Sequence, residues 1–266
     1  MKLLSRLIKR TCSGSERTAN RINSSQPMFE ALLPETIELK NRLIEFIKIV
    51  NDAGGTYHRL DFGSGIIMDG EYDIARYIAY YGIPQDLTGR SVLDIGTASG
   101  FFALECARRG AQVTAIDIWD PAAFYDQFRA ALDLDFRYIQ KDIYDLDTTF
   151  GQFDLVICGS VLLHLRDLFG AIEKIRSVCK REAIISTALL ENRLCEHKAY
   201  CEFVGMKNTG GSGEYWVYWH LNTMALKSML LAAGFSAADE VGKFVLKSLP
   251  GKGGFAQPHV VVKAII

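Results

Sequence analysis

The stretch SVLDIGTASGFFALECARRGAQVTAIDIWD, residues 91–120, contains two short apolar runs separated by a small-residue turn and a helix-like segment. The first run leads into the turn DIGTASG, and the second run ends at Asp117. This pattern predicts two parallel strands joined by a helix. In such a unit, ligands bind at the turn that follows the first strand. We therefore interpret residues 91–120 as a nucleotide-binding βαβ unit.

The alternation of strands and helices continues to the end of the chain. The predicted strands are 91–95, 112–117, 135–140, 153–158, 182–187, 242–248 and 258–264, and the predicted helices between them are 101–109, 121–132, 166–179 and 222–233. This order predicts an α/β fold, a Rossmann-like doubly wound and mostly parallel seven-stranded sheet. A Gly/Pro turn joins the last two strands, so we expect an antiparallel hairpin strand at the C-terminus.

Three regions differ in composition and pattern. Residues 1–26 carry six Lys and Arg side chains against one acid, and we expect a flexible basic arm, with RNA or membrane-surface binding as the alternatives. Residues 27–84 contain helical patterns at 29–50 and 73–81 and predict a helical cap or lid. Residues 85–266 form the predicted core, with a substrate-loop insertion at about 190–221.

Composition limits the possible environments of the protein. The net charge is −1, so the surface as a whole does not indicate nucleic-acid binding. No apolar run is long enough to span a bilayer, so we expect no stable membrane insertion. Six scattered cysteines predict reduced thiols and a cytoplasmic location. Cys195, His197 and Cys201 lack a second ligand pair with zinc-site spacing, so we expect no metal.

The turn at Gly96 excludes two familiar ligands. A dinucleotide fingerprint would also need glycine at positions occupied by Ala98 and Phe101, and no phosphate-loop G-K-[ST] follows. Asp94 precedes the turn and Asp117 ends the next strand. A carboxylate at Asp117 can accept both hydroxyls of a ribose, while Asp94 and the turn can bind an amino-acid zwitterion. S-adenosylmethionine (SAM) has both groups, and it is the cofactor that we predict.

The same residues resemble a known family. VLDIGTASGFFALECARRGAQVTAID, KDIYDL and FDLVICGSVLLHLRD are similar, in this order, to the four motifs of class I SAM-dependent methyltransferases. The resemblance spans roughly residues 55–266. Within the class, YHRLDFGSGIIMDGEYD, GSVLLHLRD and YWVYWHLNTMALKSMLLAAGF resemble the enzymes that modify the hydroxylated wobble uridine of tRNA, together with their relatives. Some of those enzymes transfer a carboxymethyl group from a carboxylated SAM.

The resemblance implies a set of cofactor-binding residues. They are Tyr57, His58, Asp94, Gly96, Thr97, Gly100, Asp117, Ile118, Asp142, Ile143, Gly159 and Ser160. Asp142 and Ile143 would flank the adenine, and Gly159 and Ser160 would line the methionine end. Tyr57 and His58 belong to a segment that would fold over the sulfonium. The alternatives are a ligand-free tight turn, helix-capping or turn aspartates, and ordinary aromatic contacts between cap and core.

The acceptor side has its own candidates. His164 is a candidate general base, because imidazole titrates near neutrality, and packing or hydrogen bonding is the alternative role. The candidate substrate-binding residues are Tyr72, Tyr215, Trp216, Tyr218 and Trp219. The four aromatic residues of GEYWVYWH could clamp a flat or hydrophobic substrate and surround the cationic methyl group by cation–π contacts, and Tyr72 resembles, with Tyr57 and His58, the segment that folds over the sulfonium. Alternatively, those of GEYWVYWH pack as a small apolar cluster.

Two departures from the tRNA carboxymethyl enzymes favour ordinary SAM. Those enzymes have a Tyr before the histidine that matches His164, and an Arg in the stretch that matches residues 214–217. This chain has Leu163 and Tyr215 instead. Leucine cannot pair with the extra carboxylate of a carboxylated donor, and an unpaired buried charge costs several kcal/mol. The tRNA enzymes also have a larger, more basic N-terminal part.

These observations predict a SAM-dependent methyltransferase that transfers a methyl group to an O, N or C nucleophile of a small molecule. A tRNA wobble-uridine methyl or carboxymethyl transferase is the first alternative. A non-catalytic SAM-binding regulatory or partner subunit is the second. The sequence predicts neither the acceptor nor the oligomeric state.

Overall fold

A computed structural model describes residues 28–119, 122–132, 134, 136–191, 197–210 and 213–266. The helices are α1 (Ile37–Asp52), α2 (Phe101–Arg108), α3 (Ala122–Leu132), α4 (Leu168–Val178) and α5 (Thr223–Ala232). The strands are β1 (Thr56–His58), β2 (Leu60–Asp61), β3 (Ile67–Met68), β4 (Gly70–Tyr72), β5 (Ser91–Ile95), β6 (Gln112–Asp117), β7 (Arg137–Gln140), β8 (Phe153–Gly159), β9 (Cys179–Ala188), β10 (Cys201–Gly210), β11 (Gly213–Leu221), β12 (Ala237–Lys247) and β13 (Ala256–Ile265). Short 3-10 helices cover Glu30–Leu32, Ile74–Tyr81, Ile143–Asp145 and Leu162–His164.

A seven-stranded sheet forms the centre of the molecule, in the order β12-β13-β9-β8-β5-β6-β7. Strands β5 to β9 are parallel, and β13 is antiparallel to both of its neighbours. The predicted Rossmann-like sheet and its antiparallel C-terminal hairpin are therefore confirmed. The central strands are buried on both faces, which explains why β5 and β8 read as nearly continuous apolar runs.

Helix α1 begins later than the predicted helix over residues 29–50. Leu33 precedes a proline and has an extended backbone, since a following proline disfavours the helical conformation. Thr36 then caps α1, and its Oγ1 accepts the N–H of Leu39 at 3.3 Å. The buried residues on the apolar face of α1 are Leu43, Phe46 and Ile47. Their side chains pack α1 against the rest of the fold.

The segment predicted as a helical cap, residues 27–84, is only partly helical where it is described. Between α1 and the core, β1 pairs with β4 in parallel and β2 pairs with β3 antiparallel. Ile74–Tyr81, predicted as a helix, has the tighter 3-10 geometry and ends at Gly82, which is in the left-handed region. The turn-rich residues 51–70 form these short strands because pairing with distant residues satisfies their backbone groups.

The insertion predicted at about 190–221 contains an antiparallel hairpin of β10 and β11. GEYWVYWH, interpreted as a substrate loop, lies within β11. Aromatic and β-branched residues favour extended structure, so the residues that were interpreted as a substrate-binding loop form a strand.

A buried ion cluster connects the cap to α2. Glu105 is fully buried and accepts hydrogen bonds from Arg108 Nε at 2.8 Å and Arg109 Nε at 2.6 Å. Arg109 Nη1 also donates to the main-chain oxygens of Ile83 at 2.6 Å and Pro84 at 2.9 Å. One guanidinium therefore fixes the segment that leads from the cap into the core.

Candidate active site

The turn after β5 has the geometry of a ligand-binding loop. Gly96, Ala98 and Gly100 all have positive φ, at 70°, 47° and 88°. A Cβ added at Gly96 would lie 2.3 Å from Val161 Cγ2, so only glycine fits there. Gly100 precedes the first turn of α2. The turn therefore presents backbone at the carboxyl ends of the strands, where ligands of α/β sheets bind.

Asp94 lies directly beneath this turn. Its Oδ2 accepts the N–H of Ala103 at 3.1 Å, whereas Oδ1 is buried without a hydrogen-bond partner among the described residues. Burial raises the pKa of Asp94, the Thr97 hydroxyl and the Ala103 N–H lower it, the charge of Asp117 raises it, and the net pKa is about 7. A buried oxygen without a partner at a ligand-binding turn fits a cationic group of a ligand.

Asp117, predicted to bind a ribose, closes the turn from the next strand. Its Oδ2 accepts the N–H of Ala98 at 2.9 Å, and its Oδ1 accepts the N–H of Trp119 at 3.3 Å. Burial raises its pKa, and these backbone hydrogen bonds lower it. A carboxylate has about four acceptor positions, so these two bonds leave capacity for ligand hydroxyls.

The predicted adenine end is divided between exposed and buried residues. Ile118 is 59% exposed, whereas Ile143 is buried. Asp142 Oδ1 accepts the N–H of Tyr144 at 3.0 Å and so caps a short 3-10 helix. This is the helix-capping role that the sequence analysis gave as the alternative to adenine binding. Trp119, which the sequence argument did not include, is 61% exposed beside Ile118. An indole at this position offers a flat surface to a purine.

The cap contacts the turn through His58. Its backbone N–H donates to Ser99 Oγ at 2.7 Å. The Tyr57 ring lies 4.9 Å from the His58 ring and 4.8 Å from the Tyr72 ring, between centroids. Burial lowers the pKa of His58 to about 3, so this imidazole is neutral and does not repel a cationic ligand. The structure thus brings together three predicted aromatic residues and Ser99, which the sequence argument had not included.

At the end of β8, the backbone of Gly159 lies close to the side chain of Phe102. A Cβ added at Gly159 would lie 2.6 Å from Phe102 Cε2. Ser160 has a φ of 57°, and its N–H donates to the carbonyl oxygen of Ser186 at 2.9 Å. Both residues lie at the same edge of the sheet as Gly96, because β8 and β5 are adjacent parallel strands.

The hairpin fixes the imidazole of His164. Nδ1 lies 2.7 Å from the main-chain oxygen of Trp216. Burial lowers the pKa of His164, while this hydrogen bond raises it, and the net pKa lies below 6.5. The ring is therefore neutral at neutral pH, and a carbonyl can only accept, so Nδ1 carries the proton. This tautomer leaves the lone pair on Nε2, the arrangement that a general base requires.

The aromatic residues of β11 divide into two groups. Trp216 and Tyr218 stack with ring centroids 5.8 Å apart, and Arg166 Nε donates to the Tyr218 hydroxyl at 3.0 Å. Trp219 instead contacts Phe203 at 5.2 Å and donates from Nε1 to the Arg166 oxygen at 3.3 Å. The side chain of Tyr215 lies outside the described part, although its backbone pairs with Asn208.

In the part of the chain that the structure describes, no group of three or more His, Cys, Asp or Glu residues could hold a metal ion. His197 and Cys201 of the cluster considered above are described, and Cys195 is not. None of the described helices is long and apolar enough to cross a membrane. The basic arm, residues 1–26, lies outside the described residues.

Comparison with known proteins finds similarity in the central part of the chain. Residues 93–187 match a family model described as a methyltransferase domain. The chain is 34% identical over 95 residues to the magnesium-protoporphyrin O-methyltransferase of Rhodobacter capsulatus, covering 35% of this chain and 42% of that protein. It is 32% identical over 97 residues to the ubiquinone biosynthesis O-methyltransferase of Stutzerimonas stutzeri, covering 35% and 41%. The match thus spans about two fifths of each relative.

Solved structures agree with the fold. The N-terminal domain of EvdMO1, solved with SAH bound, is similar with a TM-score of 0.56 and 17% identity, covering 83% of this chain and 95% of that chain. The YcgJ protein of Bacillus subtilis is similar with a TM-score of 0.51 and 16% identity, covering 72% and 97%. At these identities the likeness extends to the fold alone.

Proposed function

We propose that this chain is a SAM-dependent methyltransferase that acts on an O, N or C nucleophile of a small molecule. The observation that carries the proposal is the buried Oδ1 of Asp94, which has no partner among the described residues and lies beneath a turn that only glycine at position 96 permits. The methyltransferase-domain match to residues 93–187 supports it. Two of the relatives are named O-methyltransferases, which favours oxygen as the acceptor atom.

The residues around the turn fit this cofactor. Asp94 offers its unpartnered oxygen to the ammonium of the methionine part, and Asp117 offers its remaining acceptor positions to the ribose. Trp119 and Ile118 are exposed where the adenine would lie. The neutral imidazole of His58 tolerates a sulfonium. Bound SAM would supply an activated methyl group whose leaving group is a neutral thioether.

In the proposed reaction, the residues of this chain would orient the acceptor relative to the methyl group and provide one proton acceptor. The end of β8, at Gly159 and Ser160, would line the methionine end of the cofactor and so help to fix the methyl group in line with the acceptor, and this alignment would account for most of the catalytic effect. His164 Nε2 would take the proton of a hydroxyl or amine nucleophile. Residues 27–84 would act as the lid, since His58 contacts the turn directly, and the insertion at about 190–221 would line the acceptor side.

Leu163 favours ordinary SAM over a carboxylated donor. Its side chain is buried in an apolar cluster with Ala188 and Val217. None of these side chains can pair with a carboxylate, and an unpaired buried charge would be costly. This environment also disfavours the carboxymethyl form of the tRNA alternative.

Native mass spectrometry of the purified protein, followed by calorimetric titration with SAM and S-adenosylhomocysteine, tests the proposal. We expect a bound mass of one of these two compounds, or saturable binding of both, and then methyl transfer in a screen with methyl-labelled SAM. A ligand heavier than SAM by one CO₂ would instead favour the tRNA carboxymethyl reaction. Binding without transfer to any acceptor would favour a regulatory subunit. No binding would contradict the proposal.

Removing the Asp117 carboxylate should weaken cofactor binding. For Asp117→Ala we expect SAM affinity to fall at least tenfold, about 1.4 kcal/mol, because hydrogen bonds to the ribose are lost. Asp126→Ala, an exposed carboxylate on α3, is the matched control and should bind normally. Calorimetry on variants with unchanged circular dichroism gives the comparison. Equal affinity of a folded Asp117→Ala and the wild type would remove the ribose assignment.

His164→Gln should lower turnover more than it lowers SAM affinity. We expect kcat to fall about 10²–10⁴-fold, since glutamine cannot accept a proton. In the wild type, kcat/KM should rise with pH through the lowered pKa of His164, below 6.5, and then level off. The variant should lack this rise.

The assay for His164 uses the acceptor that the labelled-SAM screen identifies. His197→Gln, at an exposed position, is the control and should keep the wild-type profile. Equal losses in SAM affinity and turnover for His164→Gln would assign His164 a packing role.

A further inference from the structure

Arg166 is an exposed cation that the proposed mechanism does not use, and it follows His164 by two residues. Leu165 between them has an extended backbone, with φ −99° and ψ 134°, so the side chains on its two sides point in similar directions. His164 reaches the main-chain oxygen of Trp216 on β11. Arg166 Nε donates to the hydroxyl of Tyr218 on the same strand, at 3.0 Å. The guanidinium and the proposed proton acceptor therefore contact one short stretch of the hairpin, on the acceptor side of the site.

The backbone around Arg166 is fixed from two directions. Trp219 Nε1 of the hairpin donates to the main-chain oxygen of Arg166 at 3.3 Å. On the other side, the Tyr144 hydroxyl donates to the main-chain oxygen of Asp167 at 3.1 Å and accepts the N–H of Asp167 at 3.0 Å. Because the chain and the Nε atom are already held, binding a ligand at this guanidinium costs less conformational entropy than at an ordinary surface arginine.

The charge of Arg166 is not neutralised within the described part of the chain. Arg90 and Arg109, by contrast, each pair with a carboxylate. Arg166 pairs with no described carboxylate, and its two Nη groups make no hydrogen bond to a described residue. The neighbouring Asp167 carboxylate instead accepts the N–H of Gly170 at 2.9 Å. The Nη groups thus present two parallel donors to solvent, the geometry that the two oxygens of a carboxylate match.

The surroundings of the guanidinium indicate what the anion is attached to. The Trp216 indole stacks on the Tyr218 ring, with centroids 5.8 Å apart and an interplanar angle of 11°. This indole is 41% exposed, so it offers accessible apolar surface. The guanidinium carbon of Arg166 also lies 5.8 Å from the Tyr218 ring centroid, so the indole and the cation border the same phenol. A cation next to exposed aromatic surface favours an anion that is attached to an apolar, flat group.

We propose that Arg166 is a specificity-determining residue of the acceptor subsite, and that this subsite takes an aromatic carboxylic acid in its ionised form. The assignment rests on the proposed methyltransferase function and narrows its substrate class. The carboxylate accepts hydrogen bonds from the two Nη groups. The Tyr218 hydroxyl accepts from Nε, so its own proton is available to the carboxylate as well. The aromatic part of the acid covers the exposed surface of Trp216.

Calorimetric titration with 4-hydroxybenzoate, and with 4-hydroxybenzamide as its matched control, tests this subsite in the presence of saturating S-adenosylhomocysteine. The two probes share a ring and a hydroxyl group, and they differ in the charge of the remaining substituent. We expect 4-hydroxybenzoate to bind at least about tenfold more tightly, because hydrogen bonds between charged groups are the stronger ones. Added salt should reduce this preference, since it screens exposed charges. Equal affinity for the two probes, or no binding of 4-hydroxybenzoate, would overturn the subsite.

Three variants assign the preference to the Arg166 guanidinium. In Arg166→Gln we expect the two probes to bind equally, whereas Arg166→Lys should keep part of the preference, because it retains the charge without the paired donors. Arg137→Gln removes the same charge at an exposed position at the start of β7 and should behave as the wild type.

S-adenosylhomocysteine affinity should stay within about twofold of the wild type in all three variants, since the proposed contacts of Arg166 are with the acceptor. A wild-type preference in Arg166→Gln, or an equal loss in Arg137→Gln, would overturn the subsite. Failure of the wild type to bind S-adenosylhomocysteine would overturn the proposed function itself.

Discussion

Asp94→Asn should nearly abolish cofactor binding and, at the same time, stabilise the cofactor-free protein above neutral pH. The side chain is buried and its Oδ1 has no described partner, so a ligand ammonium would be its counter-ion. Removing one member of a buried ion pair costs about 3–5 kcal/mol, which corresponds to a loss of affinity on the order of 100-fold or more. Asparagine keeps an oxygen to accept the N–H of Ala103.

The stability effect follows from the raised pKa of Asp94. The pKa of Asp94 is about 7 in the folded protein against 3.8 for an ordinary aspartate, so folding favours the protonated form. The resulting stabilisation is complete below pH 3.8 and is lost as the pH rises through 7. Asparagine has no such titration. At pH 8 the variant should therefore be more stable, by up to about 4 kcal/mol for three pKa units.

Denaturant unfolding without cofactor at pH 5 and pH 8 measures this effect. The stability gain of Asp94→Asn over wild type should be markedly larger at pH 8 than at pH 5, where about two fifths of the stabilisation of wild type has been lost, and wild-type SAM affinity should rise with pH through about 7. Asp126→Asn, on the exposed surface of α3, should show neither change. Unchanged SAM affinity in Asp94→Asn would show that Asp94 does not face the ammonium.

Arg109→Met should destabilise the fold by about 3–5 kcal/mol, the range for breaking a buried ion pair. Methionine replaces the aliphatic part of the side chain without its guanidinium and leaves the fully buried Glu105 with Arg108 as its remaining described cation. It also removes the donor to the main-chain oxygens of Ile83 and Pro84, which lie between cap and core.

Arg108→Met is the matched control, because its side chain is 29% exposed against 5% for Arg109 and it makes no bond to the cap segment among those described. We expect urea unfolding to show a markedly smaller loss for Arg108→Met. Similar losses for the two variants would mean that the charge of Glu105, and not the connection to Ile83 and Pro84, dominates the effect.

The parts of the fold that depend on local pattern were predictable from the sequence. Strands β5, β6 and β8 are short apolar runs that end in turn residues, and their order along the chain dictates a parallel sheet. The start of α1 and the 3-10 geometry of Ile74–Tyr81 were not predicted correctly. The spacing of apolar residues shows which face of a helix is buried. It does not show at which residue the helix begins or whether its turns are α or 3-10.

In the candidate site too, some residues were predictable from their position in the chain and others were not. Asp94 and Asp117 lie at the carboxyl ends of adjacent strands, so chain position alone places them at one edge of the sheet. Ser99 was missed because its importance depends on a distant segment, the cap strand β1. A single sequence contains no signal for such pairings, although a hydroxyl residue in a ligand-binding turn could have drawn attention to Ser99.

The bond between His164 and the hairpin is made to a main-chain carbonyl and not to the Trp216 side chain. Replacing the indole would therefore leave the orientation and tautomer of the imidazole intact. On the proposed mechanism, side chains of β11 could therefore change while the proposed proton acceptor His164 stays in place. A hairpin of this kind would allow new substrates to be accepted without a change in the reaction itself.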